Sequence, residues 1–219
     1  MRFRFSLSLR DIPALLAARG VEVSHETVRE WCDKFGADYA DQLRRRRPRP
    51  GDKWHLDELV VSIKGARRYL WRAVDQRGIT LGILVTARRD SLAARRFLRK
   101  LLAREQYVPR VLVTDKLRSY RAAKRDVLRG VEHRQSRYLN IRAENSHQRT
   151  RLRERAMRRF ASPGQAGRFC HAHDPIYGHF RPPQHQLTAA AHRAALTDRH
   201  RTWNQITAEL LATPAAAAA

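Results

Sequence analysis

Three acidic residues stand out from a chain dominated by arginine, because their types and positions suit chemistry on phosphodiesters. Phosphoryl transfer assisted by two metal ions needs carboxylates that converge on Mg²⁺ ions about 3.5–4 Å apart. Asp57 lies inside a run that alternates like a strand, on the face it shares with Leu59, Val61 and Ile63, a poor place for an unpaired charge. Asp115 ends the wholly apolar run Val111-Leu-Val-Thr. Such a run reads as a strand buried on both faces in parallel pairing, and ligand sites gather at the carboxyl ends of parallel strands. If the two strands are parallel neighbours, about 4.8 Å apart, the carboxylates adjoin and repel each other unless a cation lies between them. Glu144 is the third acid; at 100° per residue it shares a helix face with His147, Arg151 and Arg155, while Leu152, Ala156 and Phe160 form a face that can pack on a sheet. An ion pair is the competing account of each acid in a chain this rich in arginine, and for Glu144 taken alone it is the stronger one.

The elements that must position these acids follow from periodicity. Trp54–Ile63, Arg68–Val74 and Ile79–Thr86 read as three antiparallel strands, with Asp75-Gln-Arg-Gly78 as a turn. A helix opens at Ser91, the buried strand ends at Asp115, a second helix covers Leu117–Leu128, Val131–Asn140 is extended, and a long basic helix covers Ala143–Phe160. The order βββ-α-β-α-β-α predicts an α/β unit over residues 54–162.

Before it, residues 1–43 read as helical. Ser8 and Asp11 have the spacing of a capping box, Gly20 ends the first helix, and Ser24 caps a second from His25 to about Phe35. Two helices around a glycine turn make a helix-turn-helix candidate, whose second helix would present His25, Glu26, Thr27 and Arg29 to the DNA major groove. An ordinary helical hairpin fits the same pattern. Residues 44–53, RRRRPRPGDK, hold no apolar side chain and read as a basic linker whose Arg44, Arg45, Arg46 and Arg47 suit a phosphate backbone. Residues 163–219 read as a helical extension, broken at Pro182-Pro183 and closing on an alanine tail. There Cys170, His171, His173 and His179 could ligate a metal, but their spacing matches no standard zinc pattern.

Composition bounds the partners. Of 219 residues 45 are Lys or Arg and 21 are Asp or Glu, a formal charge of +24, which points to a polyanion. Residues 88–159 alone hold 23 cations against 7 acids. With 42% hydrophobic residues the chain should fold rather than serve as a basic tail. Two cysteines 138 positions apart make no disulfide framework, and the charged N-terminus is unlike a signal peptide. A reducing cytoplasm is the expected location, with no membrane span.

The segments WHLDE (54–58), YLWRAVD (69–75), VLVTDKLRSY (111–120), VEHRQ (131–135), N-x-RAENSHQ (140–148) and RERAMRRF (153–160) resemble the DDE transposases of bacterial insertion sequences, specifically the insertion-sequence-six family, over about residues 6–207. The resemblance implies an RNase H-like core preceded by a helix-turn-helix that binds terminal inverted repeats. It also implies strand cleavage and strand transfer dependent on two Mg²⁺, with Mn²⁺ as a substitute. Carried over by motif, Asp57, Asp115 and Glu144 are the catalytic and metal-binding triad, and Arg151 matches a basic position of the family. Lys116 and Arg118, beside Asp115, join His147, Arg151 and Arg155 as expected DNA contacts. Two departures are the 28 residues between Asp115 and Glu144, fewer than many DDE enzymes have, and Gln148-Arg149 where relatives often have Gln-Pro. Relatives commonly carry a further helical segment before the position of Met1, so an N-terminally shortened copy is one expectation. A non-catalytic DNA-binding protein that occupies transposon ends and inhibits an intact relative is the alternative. By analogy with the family, synapsis of two ends implies a homodimer or larger assembly, and the resemblance implies a nucleoid-associated place in a bacterial cytoplasm.

Overall fold

The computed structural model describes residues 1–5, 7–136, 138–140, 148, 151, 154, 160–182 and 187–212. Two compact units emerge, residues 48–171 and residues 1–47 with 172–219.

The unit of residues 48–171 is built on a five-stranded mixed sheet in the order β3-β2-β1-β4-β5. Its strands are β1 (Lys53–Ile63), β2 (Ala66–Asp75), β3 (Thr80–Thr86), β4 (Val111–Thr114) and β5 (Glu132–Gln135). β1, β2 and β3 form an antiparallel meander; β4 pairs parallel to β1, and β5 parallel to β4. Lys64 and Gly65 turn β1 into β2, with φ of 50° and 78°. Two consecutive positive φ angles match the right-handed twist of the flanking strands. After β2, the buried carboxylate of Asp75 organises the next turn: it accepts from the backbone N–H groups of Gly51 (2.9 Å), Arg77 (2.9 Å) and Ile79 (2.8 Å).

One face of the sheet is closed by α3 (Ser91–Glu105) and α4 (Arg118–Val127). Trp54, Leu56, Trp71, Ala73 and Leu81 of the sheet bury against Ala94, Phe97, Leu98 and Leu101 of α3 and Tyr120 and Ala123 of α4. The apolar positions of α3 recur at helical spacing, and Asp90 caps the helix by accepting from the Ala93 N–H at 2.8 Å. Trp71 is the centre of this layer. Its ring meets Tyr120 edge-on at 5.5 Å between centroids, and its Nε1–H donates to Thr86 Oγ1 at 2.8 Å.

The unit of residues 1–47 with 172–219 is helical. It contains α1 (Asp11–Ala17), α2 (His25–Arg46), the second half of α5 (Pro163–His179) and α6 (Ala189–Ala212). The capping box forms: the Asp11 N–H donates to Ser8 Oγ at 3.1 Å and the Ser8 N–H to Asp11 Oδ2 at 2.8 Å. Gly20, at φ 75°, turns the chain after α1, and Ser24 caps α2 through the Thr27 N–H at 3.0 Å. Leu43, Ile176, Phe180 and Ile206 form the buried cluster of this unit, flanked by Tyr39 and Trp203. Tyr39 stacks on Trp203 at 4.4 Å and donates its hydroxyl to Thr207 at 3.0 Å.

Four local expectations differ from the structure. The second helix runs on from Phe35 to Arg46. Gly36 does not break it, because Phe3 packs against the space a Cβ would take, 3.0 Å from its ring. Arg44, Arg45 and Arg46 are therefore its last turn rather than linker, where positive side chains favour the helix dipole, and Pro48 lies just beyond. The extended stretch 131–140 is a strand only to Gln135, since β4 offers four residues to pair with, and a 3₁₀ turn follows at Tyr138–Asn140. Phe160 is not helical but bridges Ile63 and packs on Phe169 at 5.8 Å. The remainder of the expected 143–160 helix lies outside the described residues, apart from helical positions at 148, 151 and 154.

Trp71→Ala removes a fully buried ring at the junction of sheet, α3 and α4. It should cost about 3–5 kcal/mol, read as a lower midpoint in denaturant unfolding followed by circular dichroism.

Candidate metal centre

The site grows out of the parallel pairing of β1 and β4. Register runs Lys53↔Val111, Trp54↔Leu112, His55↔Val113 and stops there. Carried two residues further, it sets Asp115 opposite Asp57, just where the paired edge ends. Oxygens of Asp57, Glu58 and Asp115 lie within 4.8 Å of one another, and among the described residues this is the one group of three His, Cys, Asp or Glu side chains placed to hold a metal ion.

Glu58 was not expected there. Neighbouring residues of a strand point to opposite faces, so period-two reading assigns Glu58 to the face opposite Asp57. It does face the α3–α4 layer, where the Tyr120 hydroxyl donates to Glu58 Oε2 at 2.8 Å. But β4 has ended at this level, and side chains from both faces of β1 reach round the open edge toward Asp115. The adjacent acids that close WHLDE, Asp57 and Glu58, were the available signal.

Each acid is held differently. Asp115 Oδ1 accepts from the Leu117 N–H at 3.0 Å, an Asx turn that fixes the carboxylate as the chain enters α4. Asp57 lies directly across from the buried Arg72 of β2. Directly paired residues project to the same face, so a fixed positive charge stands beside Asp57. Arg89, in the connection from β3 to α3, places its guanidinium against Glu58 Oε1 and 3.3 Å from Asp115 Oδ2. The contact to Glu58 is an ion pair without hydrogen-bond alignment. Burial pushes the Glu58 carboxyl up to about 7, and Asp115 and Asp57 push the same way, while the Tyr120 hydroxyl and Arg89 act against them. Burial, together with Glu58, likewise drives the Tyr120 phenol well above its ordinary value. Close-set carboxylate oxygens at the end of parallel strands suit a hard divalent cation.

Other expected site residues are dispersed. Glu144, His147 and Arg155 lie outside the described residues. Lys116, Arg118 and Arg151 are exposed. At the start of α2, His25 and Arg29 are exposed and both pair with Glu26, whereas Thr27 supports the helix cap. In its last turn Arg44 pairs with Asp41 at 2.5 Å and Arg46 with Glu209, while Arg45 is exposed. Sequence reasoning also missed Arg89 and Tyr120, the two residues that hold Glu58.

A meander joined to two parallel strands, with acids meeting at the β1–β4 junction, defines the RNase H-like core of DDE enzymes. Residues 51–182 match the family described as a DDE domain. The transposase for insertion sequence element IS257 in transposon Tn4003 of Staphylococcus aureus is 32% identical over 156 residues, 69% of each chain. The transposase for insertion sequence-like element IS431mec of S. aureus strain Mu50 has the same identity and coverage. The cryoEM structure of the simian T-cell lymphotropic virus intasome in complex with PP2A regulatory subunit B56 gamma is 18% identical, covering 48% of this chain and 39% of that one, with a TM-score of 0.37. The chain belongs to the insertion-sequence-six family of bacterial DDE transposases. No helix among the described residues is long and apolar enough to cross a membrane.

Because the folded state raises the Glu58 pKa from 4.5 to about 7, it binds the proton more tightly than the unfolded chain does. Stability of the metal-free protein should then fall as pH rises from about 4.5 to about 7 and level off above that. Thermal melts in chelator across this range should show that slope, and Glu58→Gln, which cannot ionise, should flatten it.

Proposed function

We propose that the chain cuts and rejoins DNA at the ends of an insertion sequence, using Asp57, Asp115 and Glu144 to hold two Mg²⁺ ions. The observation that carries this reading is the convergence of Asp57 and Asp115, 58 positions apart in sequence, with ligand oxygens within 4.8 Å. Glu144 follows by four positions Asn140, whose buried side-chain amide donates to the Leu56 carbonyl at 2.8 Å. That bond ties the chain leading to Glu144 to the residue before Asp57, within reach of four residues at about 3.4 Å each. When bound, the two ions activate the attacking water or DNA 3′-OH and steady the charge on the leaving oxygen. The protein's part is positional: the Asx turn aims Asp115, strand β1 fixes Asp57, and Arg72 balances charge beside it.

Exposed cations of both units serve the DNA backbone. Lys116, Arg118 and Arg151, with Arg45 at the end of α2, would grip phosphates, which positions the strand without reading its sequence. His147 and Arg155 are assigned the same role on the sequence spacing they share with Arg151. Recognition of terminal inverted repeats falls to His25, Thr27 and Arg29 at the start of α2, in the manner of a recognition helix. Arg44 and Arg46 of its last turn, with Arg47 just past the helix end, extend the positive surface. Two ends must be brought to one target, so a homodimer or larger assembly is the working form.

The test uses the full chain, labelled duplex carrying the element's terminal repeat, and Mg²⁺ or Mn²⁺. Wild type should nick and join strands; Asp57→Asn, Asp115→Asn and Glu144→Gln should each abolish product while retaining DNA affinity. Activity that survives all three substitutions would refute the site. Retained binding with no cleavage by the wild type would instead identify an occupant of transposon ends. Binding itself should weaken steeply with salt, and Lys116→Ala should lower the slope of log affinity against log salt by about one.

A further inference from the structure

Two arginines attend the acid cluster, and they differ in what they are free to do. Arg72 stands in the middle of β2 with 1% of its surface exposed, locked in the sheet opposite Asp57. Arg89 stands on the short connection between β3 and α3, one residue before the Asp90 cap, and 38% of its side chain is exposed. It reaches two acids carried by different elements: Glu58 on β1 and Asp115 just past β4. The pairing of β1 with β4 has already ended at His55 and Val113, so no backbone bond between these strands ties the two acids together. The Arg89 guanidinium supplies that tie.

A guanidinium lying between carboxylates and a divalent ion bound by them cannot fill the same volume, and both are positive. We propose that Arg89 is the resident counter-cation of the metal-free site, holding Glu58 and Asp115 together until a divalent ion enters, and competing with that ion for Asp115. Arg89 is thus a positioning residue that lowers metal affinity in exchange for an ordered empty site. The inference rests on the reading of Asp115 as a metal ligand. It separates from two simpler roles. A residue that only braced the fold would, when removed, loosen the acids and weaken metal binding. One that only gripped DNA would leave metal binding untouched in the absence of DNA.

Mn²⁺ binding to the full chain without DNA, followed by the paramagnetic resonance signal of the free ion, distinguishes them. Arg89→Ala should bind Mn²⁺ about fivefold more tightly, the scale of one partly exposed ion pair. It should also melt at a lower temperature in chelator and gain more from added Mn²⁺ than wild type gains. Arg89→Gln, which keeps the length without the charge, should behave like Arg89→Ala and covers the case in which the alanine variant does not fold. Arg89→Lys should stay near wild type. Unchanged or weaker Mn²⁺ binding in both neutral variants overturns the proposal. Asp115→Asn in the wild-type background tests the foundation separately: it should weaken Mn²⁺ binding, and if it does not, the metal-ligand reading fails whatever Arg89 does.

Discussion

Carboxylates whose oxygens lie within 4.8 Å of each other repel strongly, the more so where the sheet and α4 shield them from water. Much of the surrounding structure answers that repulsion. Arg72 is buried opposite Asp57 despite the cost of desolvating a guanidinium, and Arg89 leaves the β3–α3 connection to lie between Glu58 and Asp115. Glu58, raised first by burial and further by its acidic neighbours, holds its proton to about pH 7, with the Tyr120 hydroxyl as partner. A site relieved in these separate ways can persist without metal, yet it keeps its oxygens close enough to exploit one.

The mixed sheet is what brings the acids together. An antiparallel meander alone would place β1 beside strands joined by tight turns, with no carboxyl-end junction. Adding β4 parallel to β1 brings two chain segments to their ends at one level, and the parallel crossover through α3 supplies the distance in sequence that separates Asp57 from Asp115. Trp71 of β2 then fastens both helices to the sheet, meeting Phe97 of α3 and Tyr120 of α4. Tyr120 belongs both to this apolar layer and to the polar contact with Glu58, so packing and site geometry are coupled through one side chain.

The sheet was largely legible in the residues, because its signals are local. Alternation marked β1 to β3, and the apolar run before Asp115 marked β4 as buried and parallel, which sets Asp57 and Asp115 side by side once β1 is its neighbour. Glu58 escaped for a physical reason: alternation does send it to the face opposite Asp57, but β1 has outrun β4 at this point, and acids from both faces meet beside Asp115. Arg89 escaped because one arginine among 39 carries no pattern, and only tertiary placement distinguishes it. The helix past Phe35 was hidden by Gly36, which ordinarily weakens a helix but here admits Phe3. The partner of α2 was hidden more deeply, since nothing in Leu43 or Tyr39 announces residues some 160 positions away.

That last pairing bears on how the protein is made. Tyr39 and Leu43 leave the ribosome some 160 positions ahead of their apolar neighbours Trp203 and Ile206. The sheet of residues 48–171 has all its strands early, so a growing chain can complete it while α2 still waits with an uncovered face. Order of synthesis thus sets order of assembly. A reading frame interrupted after the sheet would yield a product whose acids are in place but whose N-terminal helices lack their core.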